Sequence, residues 1–162
     1  MTAGSQWRKW NFHVHTKGTN KNDLFSSATM EDFYHIFFKK AFANKIQAIG
    51  ITDYFSIDRY IDAVEYQENV DIKVDSDGEN LFTPEEILFV KGIFLFPNVE
   101  LRMLPSTDSA RLINIHCLFN PDFVRDLEHD FFSSLKNQEG FQMNRHGISM
   151  YGKHLDNRLV AR

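Results

Sequence analysis

The sequence predicts an α/β fold in which most strands are parallel and form part of a barrel. Short apolar runs alternate with segments whose apolar residues recur at helical spacing, an order typical of parallel sheets covered by helices. Four such runs are present. Four strands do not close a barrel, so we expect the N-terminal half of a larger barrel or an incomplete one.

The first strand and the first helix are separated by a polar loop. We predict a strand over Trp10–Val14 and a loop over residues 16–27, which contains Gly, Asn and Lys. Thr29 and Asp32 then have the spacing of a capping box, which marks a helix start. Apolar residues follow at helical spacing as far as Phe42 and define one buried face.

The middle of the chain repeats this alternation. Gln47–Thr52 is a predicted strand, and Ser56 is a candidate cap for the next helix. Residues 68–80 are polar and acidic, so we expect an exposed insertion there. Thr83-Pro84 has the cap-then-proline pattern of a further helix start, and Gly92 suits the end of that short helix.

Two more strands and one helix complete the pattern. We predict strands over Ile93–Phe96 and Leu112–Phe119, and a helix that begins at Asn120. Residues 1–136 are therefore expected to form the N-terminal part of one domain. Residues 137–162 contain no convincing strand, and we treat them as a C-terminal tail.

Composition narrows the classes of function. The chain has 162 residues with 43% hydrophobic residues, enough for a real core, and its net charge of −4 gives no general electrostatic case for nucleic-acid binding. One cysteine excludes an intrachain disulfide and fits a reducing compartment. No signal peptide is recognisable, and the longest apolar run is too short to cross a bilayer. We expect a cytoplasmic protein without a membrane partner.

Each apolar run leads into a residue that can bind a metal. Because the C-terminal ends of parallel strands share one rim, we expect these side chains to converge on a metal site. The candidate ligands are His13, His15, Asp53, Glu100 and His116.

The residue types fit that chemistry to different degrees. His13 and His15 lie two residues apart, on one face of a strand and about 6.6–6.8 Å apart along it. Glu100 can bridge two ions, or it can be an ordinary surface glutamate. Asp53 can bind a metal directly or orient a histidine that does. His116 lies within an apolar run, where a lone histidine is often a hydrogen-bonded core residue.

The motifs around these residues resemble the PHP (polymerase and histidinol phosphatase) domain. The similar segments are WNFHVHT, GITDYF, PNVEL and INIHCLF, at residues 10–16, 50–55, 97–101 and 113–119. The segments GSQWRKW and TDYF further resemble the PHP module at the front of TrlF-type proteins. That family has a distorted seven-stranded β/α barrel that binds up to three divalent metals, and many members hydrolyse phosphoesters.

The resemblance implies a metal-dependent phosphoesterase that hydrolyses phosphodiesters or phosphomonoesters, with a nuclease as one form of this activity. It implies one or two divalent ions (Zn, Mn or Fe) and catalytic roles for Asp53 and Glu100. It also implies an ATPase domain or subunit as partner. Lys17, Lys21, Arg102 and Arg111 are candidate cations for phosphate oxygens, although solvated loop charges are the simpler interpretation.

The chain also departs from the family pattern. Tyr54 stands where the family has a ligating histidine, and the late Asp-x-His motif is not found. A non-catalytic scaffold with this fold is therefore the alternative hypothesis. The open edge of a four-stranded sheet additionally predicts self-association, since unpaired strand edges attract a pairing partner.

Overall fold

A computed structural model of the chain describes residues 7–19, 23–103 and 113–160, with side chains omitted at 103 and 158–160. The chain divides into two compact units, residues 1–119 and 120–162. The domain boundary predicted after residue 136 falls within the second unit. No helix in the described ranges has the length and apolar character needed to span a bilayer.

The first unit is a mixed α/β structure built on one curled, four-stranded sheet. The strand order is β1-β2-β3-β4; β1, β2 and β3 are parallel, which confirms the predicted class of mainly parallel strands. The elements in chain order are β1 (Lys9–His15), α1 (Met30–Asn44), β2 (Ile46–Tyr54), α2 (Asp58–Glu68), a 3-10 turn (Val70–Ile72), α3 (Pro84–Lys91), β3 (Phe94–Met103) and β4 (Ile113–Leu118).

The direction of β4 differs from expectation. We expected the fourth strand to present its C-terminal end at the same rim as the others, but β4 runs antiparallel to β3. The connection explains the difference. Only residues 104–112 separate the two strands, and a parallel crossover needs a dozen residues or more.

The predicted helix starts are confirmed for α1 and α3. Thr29 and Thr83 each accept a hydrogen bond from the third helical residue, whose acidic side chain accepts one back from the cap. In α2 the buried residues are aromatic or small, namely Tyr60, Ala63 and Tyr66, whereas Ile61 is 44% exposed.

The two faces of the sheet have different roles. Alternating residues such as Ile49, Ile51 and Val99 are buried under the helices, and α2 packs on β2 and β3. The predicted aromatic core of α1 is also buried there, with Phe33 and Phe38 at 6% and 0% exposure. The opposite face of the sheet is polar near the C-terminal ends of β1, β2 and β3, and it carries the candidate site.

An irregularity in β1 shapes that polar face. The register of β1 against β2 shifts between Asn11 and Val14. The carbonyl oxygen of Phe12 comes so close to Gly50 that a Cβ there would lie 2.2 Å from it. The same oxygen accepts a hydrogen bond from Asn98 Nδ2 at 2.8 Å. Glycine at position 50 therefore lets the Phe12 carbonyl of β1 come close to β2. In that position the carbonyl is within reach of the Asn98 side chain, which ties β1 to β3.

The second unit is helical with one short hairpin. Asn120 accepts a hydrogen bond from Asp122 N at 3.1 Å, which confirms the predicted helix start. The helix is a 3-10 segment (Pro121–Asp126) followed by a π segment (Leu127–Phe132), in which Leu127 and Phe132 are buried and Phe123 is exposed. The hairpin pairs Lys136 with Gln142 and leads into α4 (Arg145–Val160), a helix within the segment that we treated as a tail.

Candidate metal centre

Strands β1 and β3 bring three candidate ligands together. The Nε2 atoms of His13 and His15 are 3.0 Å apart. Glu100 Oε2 lies 3.5 Å from the His13 nitrogen and 3.3 Å from the His15 nitrogen. Within the described residues, this is the group of at least three His, Cys, Asp or Glu side chains close enough to hold one ion.

These separations are those of atoms bound to one metal ion. Bonds of about 2.0–2.2 Å at angles between 90° and 109° place neighbouring ligand atoms about 2.9–3.5 Å apart. Glu100 is 2% exposed, and its Oε2 has no hydrogen-bond partner. A buried carboxylate oxygen without a donor is costly, whereas a cation between it and the two imidazoles would satisfy all three atoms.

The other oxygen of Glu100 is fixed by the neighbouring strand. Asn114 Nδ2 donates to Glu100 Oε1 at 2.7 Å, from β4. The amide therefore occupies one carboxylate oxygen and orients the second towards the two histidines. Partners of this kind hold a metal ligand in position and tune its basicity.

His116 reaches the site by a route other than the predicted one. Because β4 is antiparallel, His116 pairs directly across from Glu100 instead of following the end of a parallel strand. Its ring centroid is 4.3 Å from that of His13. It does not belong to the group of three whose ligand atoms share one position, so the structure places His116 beside that group.

Asn98 determines the tautomer of His116. The Asn98 amide nitrogen donates to Phe12 O at 2.8 Å and to Thr52 Oγ1 at 2.9 Å, so its oxygen is left as an acceptor. His116 Nδ1 lies 3.2 Å from that oxygen and must carry the proton. The neutral imidazole therefore keeps its lone pair on Nε2. This is the form that can bind a metal or accept a proton.

Tyr54 and Arg102 form a stack beside His15. The Tyr54 ring lies on the His15 ring with centroids 5.3 Å apart and planes 22° apart. The Arg102 guanidinium is 5.3 Å from the centre of the Tyr54 ring, and its Nη2 is 3.4 Å from the Tyr54 hydroxyl. A positive charge is thus held against Tyr54, the residue that stacks on His15, by a cation–π contact and by the phenol.

Asp53, which was predicted as a ligand and catalytic residue, lies outside the group of three. Side chains alternate along β2, and Tyr54 pairs with Glu100 while Asp53 pairs with Val99 on the helix-covered face. Asp53 Oδ1 accepts from the main-chain nitrogen of Tyr54 at 3.0 Å. Burial raises the pKa of Asp53, opposed by main-chain N–H groups of Tyr54 and Arg59 and by the Arg59 charge. Its carboxylate supports the start of α2, where a negative charge is favourable.

Sequence reasoning missed Asn98 and Asn114, the two amides that orient the site. The signal was available for Asn98: it lies two residues before Glu100, on the same face of one strand, between apolar neighbours.

Of the candidate cations, Arg102 lies at the site, and Lys17 lies in the turn after β1, where its ammonium is 3.5 Å from Phe25 O. Lys21 and Arg111 lie outside the described residues.

No family model, curated protein or solved structure matches this chain. The resemblance to PHP domains is carried only by the motifs quoted from the sequence. The chemistry of the site is therefore derived from its own geometry: two imidazoles, one buried carboxylate, a third imidazole of defined tautomer and a held guanidinium.

Proposed function

We propose that this chain is a metal-dependent phosphoesterase whose centre holds one divalent ion on His13, His15 and Glu100. One observation carries the proposal: a buried carboxylate oxygen without a hydrogen-bond donor faces two histidine nitrogens at separations that suit a single ion. The expectation of a phosphoester substrate comes from the motif resemblance and is supported by the nearby guanidinium.

Two histidines and one glutamate make a ligand set typical of catalytic sites. Three protein ligands leave a coordination position for water or substrate, whereas structural zinc sites have four. The mixed nitrogen and oxygen donors suit Zn, Mn or Fe. A divalent ion in this place would polarise a phosphoryl oxygen and lower the pKa of a water molecule.

In this proposal His116 is the general base. Its Nδ1 proton is held by Asn98, so Nε2 can accept a proton from the attacking water and later return it to the leaving oxygen. Because His116 lies beside His13 but outside the group of three, this base would be next to an ion held there and would not be one of its three ligands. The strict geometry of the Asn98 amide keeps the imidazole in the productive tautomer.

In the same proposal, Arg102 binds the phosphate group of the substrate. It lies two residues beyond Glu100 on the same face of β3, about 6.6–6.8 Å along the strand. That distance allows one phosphate group to contact the ion with one oxygen and the guanidinium with another. Arginine suits this role because its planar fork matches the geometry of phosphate oxygens.

Hydrolysis of two chromogenic esters tests the proposal. The chain is stripped with a chelator, reloaded with Zn²⁺ or Mn²⁺, and assayed on bis(p-nitrophenyl) phosphate and p-nitrophenyl phosphate. We expect turnover that requires the metal. His116→Gln should lower kcat by about 100-fold, the scale of a lost general base, and His146→Gln on the exposed side of α4 is the matched control.

Arg102 gives a second, independent readout. Arg102→Met should raise KM by about tenfold or more, since a hydrogen bond to a charged group is worth about 1.5–3 kcal/mol. Arg102→Lys should restore part of the loss. A chain that binds metal tightly but hydrolyses neither ester would contradict catalysis and favour the non-catalytic scaffold.

The scaffold is the second candidate, and one observation favours it. Asp53 faces the helices, so Glu100 is the one carboxylate that the described part of the chain supplies to the cluster. A single ion held this way could serve only to tie β1 to β3. An ATPase partner and self-association remain predictions from the resemblance and from the open sheet edge.

A further inference from the structure

A cavity next to the metal centre has the features of a ligand site. Its volume is about 340 Å³, within the range of pockets that hold small molecules. The walls are mainly aromatic and aliphatic and come from β1, the following loop, α1 and the start of β2. The apolar wall residues that matter here are Val14, Phe25, Phe33, Phe37, Ala41 and Ile49.

Two polar atoms at this cavity have no partner. His15 and Ser27 both line it, and both His15 Nδ1 and Ser27 Oγ are buried without a hydrogen bond. The Nε2 edge of the His15 ring faces His13 and Glu100, and Tyr54 covers one ring face. Nδ1 is therefore the His15 ring nitrogen that is not directed at His13 and Glu100, in a ring that lines the cavity.

The chemistry of His15 defines what the occupant must supply. If Nε2 binds a metal, its lone pair is used there and the proton is on Nδ1. A metal-bound imidazole almost always donates that proton to an oxygen, and such a partner raises the affinity for the metal. No described residue provides that oxygen, so an occupant of the cavity would complete the histidine.

We propose that this cavity binds a small aromatic molecule that carries a hydrogen-bond acceptor, and that its binding is coupled to metal binding through His15. The aromatic ring packs against Phe33 and Phe37, and the acceptor accepts hydrogen bonds from the Nδ1–H of His15 and from the Ser27 hydroxyl. The coupling rests on the proposed metal role of His15; the binding of the aromatic molecule does not.

Benzamide and toluene are the probes, used with the full chain and followed by ligand-observed NMR. Benzamide has a ring and a carbonyl acceptor, and toluene has the ring alone. We expect both to bind saturably, benzamide more tightly. Ser27→Ala should weaken benzamide and leave toluene unchanged.

Filling the cavity provides the matched pair of variants. Ala41 lines the cavity and is 3% exposed, whereas Ala43 is exposed on the same helix. Ala41→Phe should abolish binding of both probes, and Ala43→Phe should not. Circular dichroism tests whether both variants fold. If Ala41→Phe does not fold, the effect of Ser27→Ala on benzamide binding decides.

Coupling is measured as the dissociation constant of Zn²⁺ with and without saturating benzamide. We expect benzamide to tighten Zn²⁺ binding by about tenfold, the lower end of what such partners contribute, and Zn²⁺ to tighten benzamide by the same factor. Toluene should leave Zn²⁺ affinity unchanged. Equal Zn²⁺ affinity with and without bound benzamide would overturn the coupling.

The two proposals fail in different ways. Glu100→Gln should lose metal binding yet still bind benzamide, so an inactive site leaves the cavity testable. Saturable binding of neither probe would overturn the cavity proposal and indicate that a segment of this chain fills the space. Probe binding that survives in a folded Ala41→Phe chain, or benzamide binding that Ser27→Ala leaves unchanged, would overturn it as well.

Discussion

Replacing Glu100 by glutamine tests the metal centre most directly. The side chain keeps its shape, so Asn114 keeps an oxygen to bond. The change removes the one negative charge among the three ligand atoms and leaves two imidazoles with nitrogens 3.0 Å apart. We therefore expect the fold to survive and the affinity for divalent metal to fall.

The size of the effect follows from mass action. Loss of a supporting partner already weakens metal binding by 10–100-fold, so loss of the charged ligand should weaken it by about 100-fold or more. At a Zn²⁺ concentration of 100 Kd, binding stabilises the wild-type fold by about 2.7 kcal/mol. The same concentration stabilises a variant with 100-fold weaker binding by only about 0.4 kcal/mol.

Thermal unfolding with and without Zn²⁺ measures this difference. For a chain of this size, each kcal/mol shifts Tm by about 2–4 °C, so we expect a metal-induced rise of about 5–11 °C in the wild type and about 1–2 °C in Glu100→Gln. Glu79→Gln, in the exposed acidic segment, controls for the change in net charge. A full metal-induced rise in Glu100→Gln would refute the assignment of Glu100 as a ligand.

Three further predictions concern the supports of the site. Asn98→Ala should lower the free energy of unfolding by about 1–3 kcal/mol, because the buried groups that bond to the amide lose their hydrogen-bond partner. It should also lower kcat, because the His116 tautomer is no longer fixed. Unchanged urea unfolding and unchanged kcat would contradict this role. Burial raises the pKa of Asp53 above its ordinary value of 3.8, so the folded state holds the carboxyl proton more tightly than the unfolded state does. Wild-type stability should therefore fall as pH rises through the folded pKa. In urea unfolding across the acidic range, Asp53→Asn should lack this dependence of stability on pH. Gly50→Ala should destabilise the fold by about 3 kcal/mol or more, since the new Cβ meets a main-chain oxygen. Gly152→Ala in α4, with open space around it, should not destabilise the fold. Similar unfolding midpoints for the two variants would contradict the close approach of β1 to Gly50.

The sequence predicted local features of the fold well. Caps at Thr29 and Thr83 depend on residues three positions apart, so their signal lies within one turn of helix. The pairing of His13 with His15 depends only on the two-residue period of a strand. For the same reason, the apolar runs located all four strands.

Features that depend on long-range pairing were harder to predict. The pattern ended β2 at Thr52, whereas the strand continues to Tyr54, so the alternation that turns Asp53 away was not visible. The direction of β4 depends on the path of its connection and not on its own residues. The α4 helix does carry Ile148, Tyr151 and Leu155 at helical spacing, a local signal that was overlooked because two glycines lie within the same segment.

The residues that meet at the centre are spread along the chain, and this has a consequence for biosynthesis. His13 and His116 are about a hundred residues apart in sequence. At a synthesis rate of roughly 5–20 residues per second, His13 leaves the ribosome about 5–20 s before His116. For most of that interval neither Glu100 nor His116 has been made. A metal ion captured at that time would be held by two histidines alone, so stable loading of the proposed centre should follow translation and depend on the free metal that the finished chain meets.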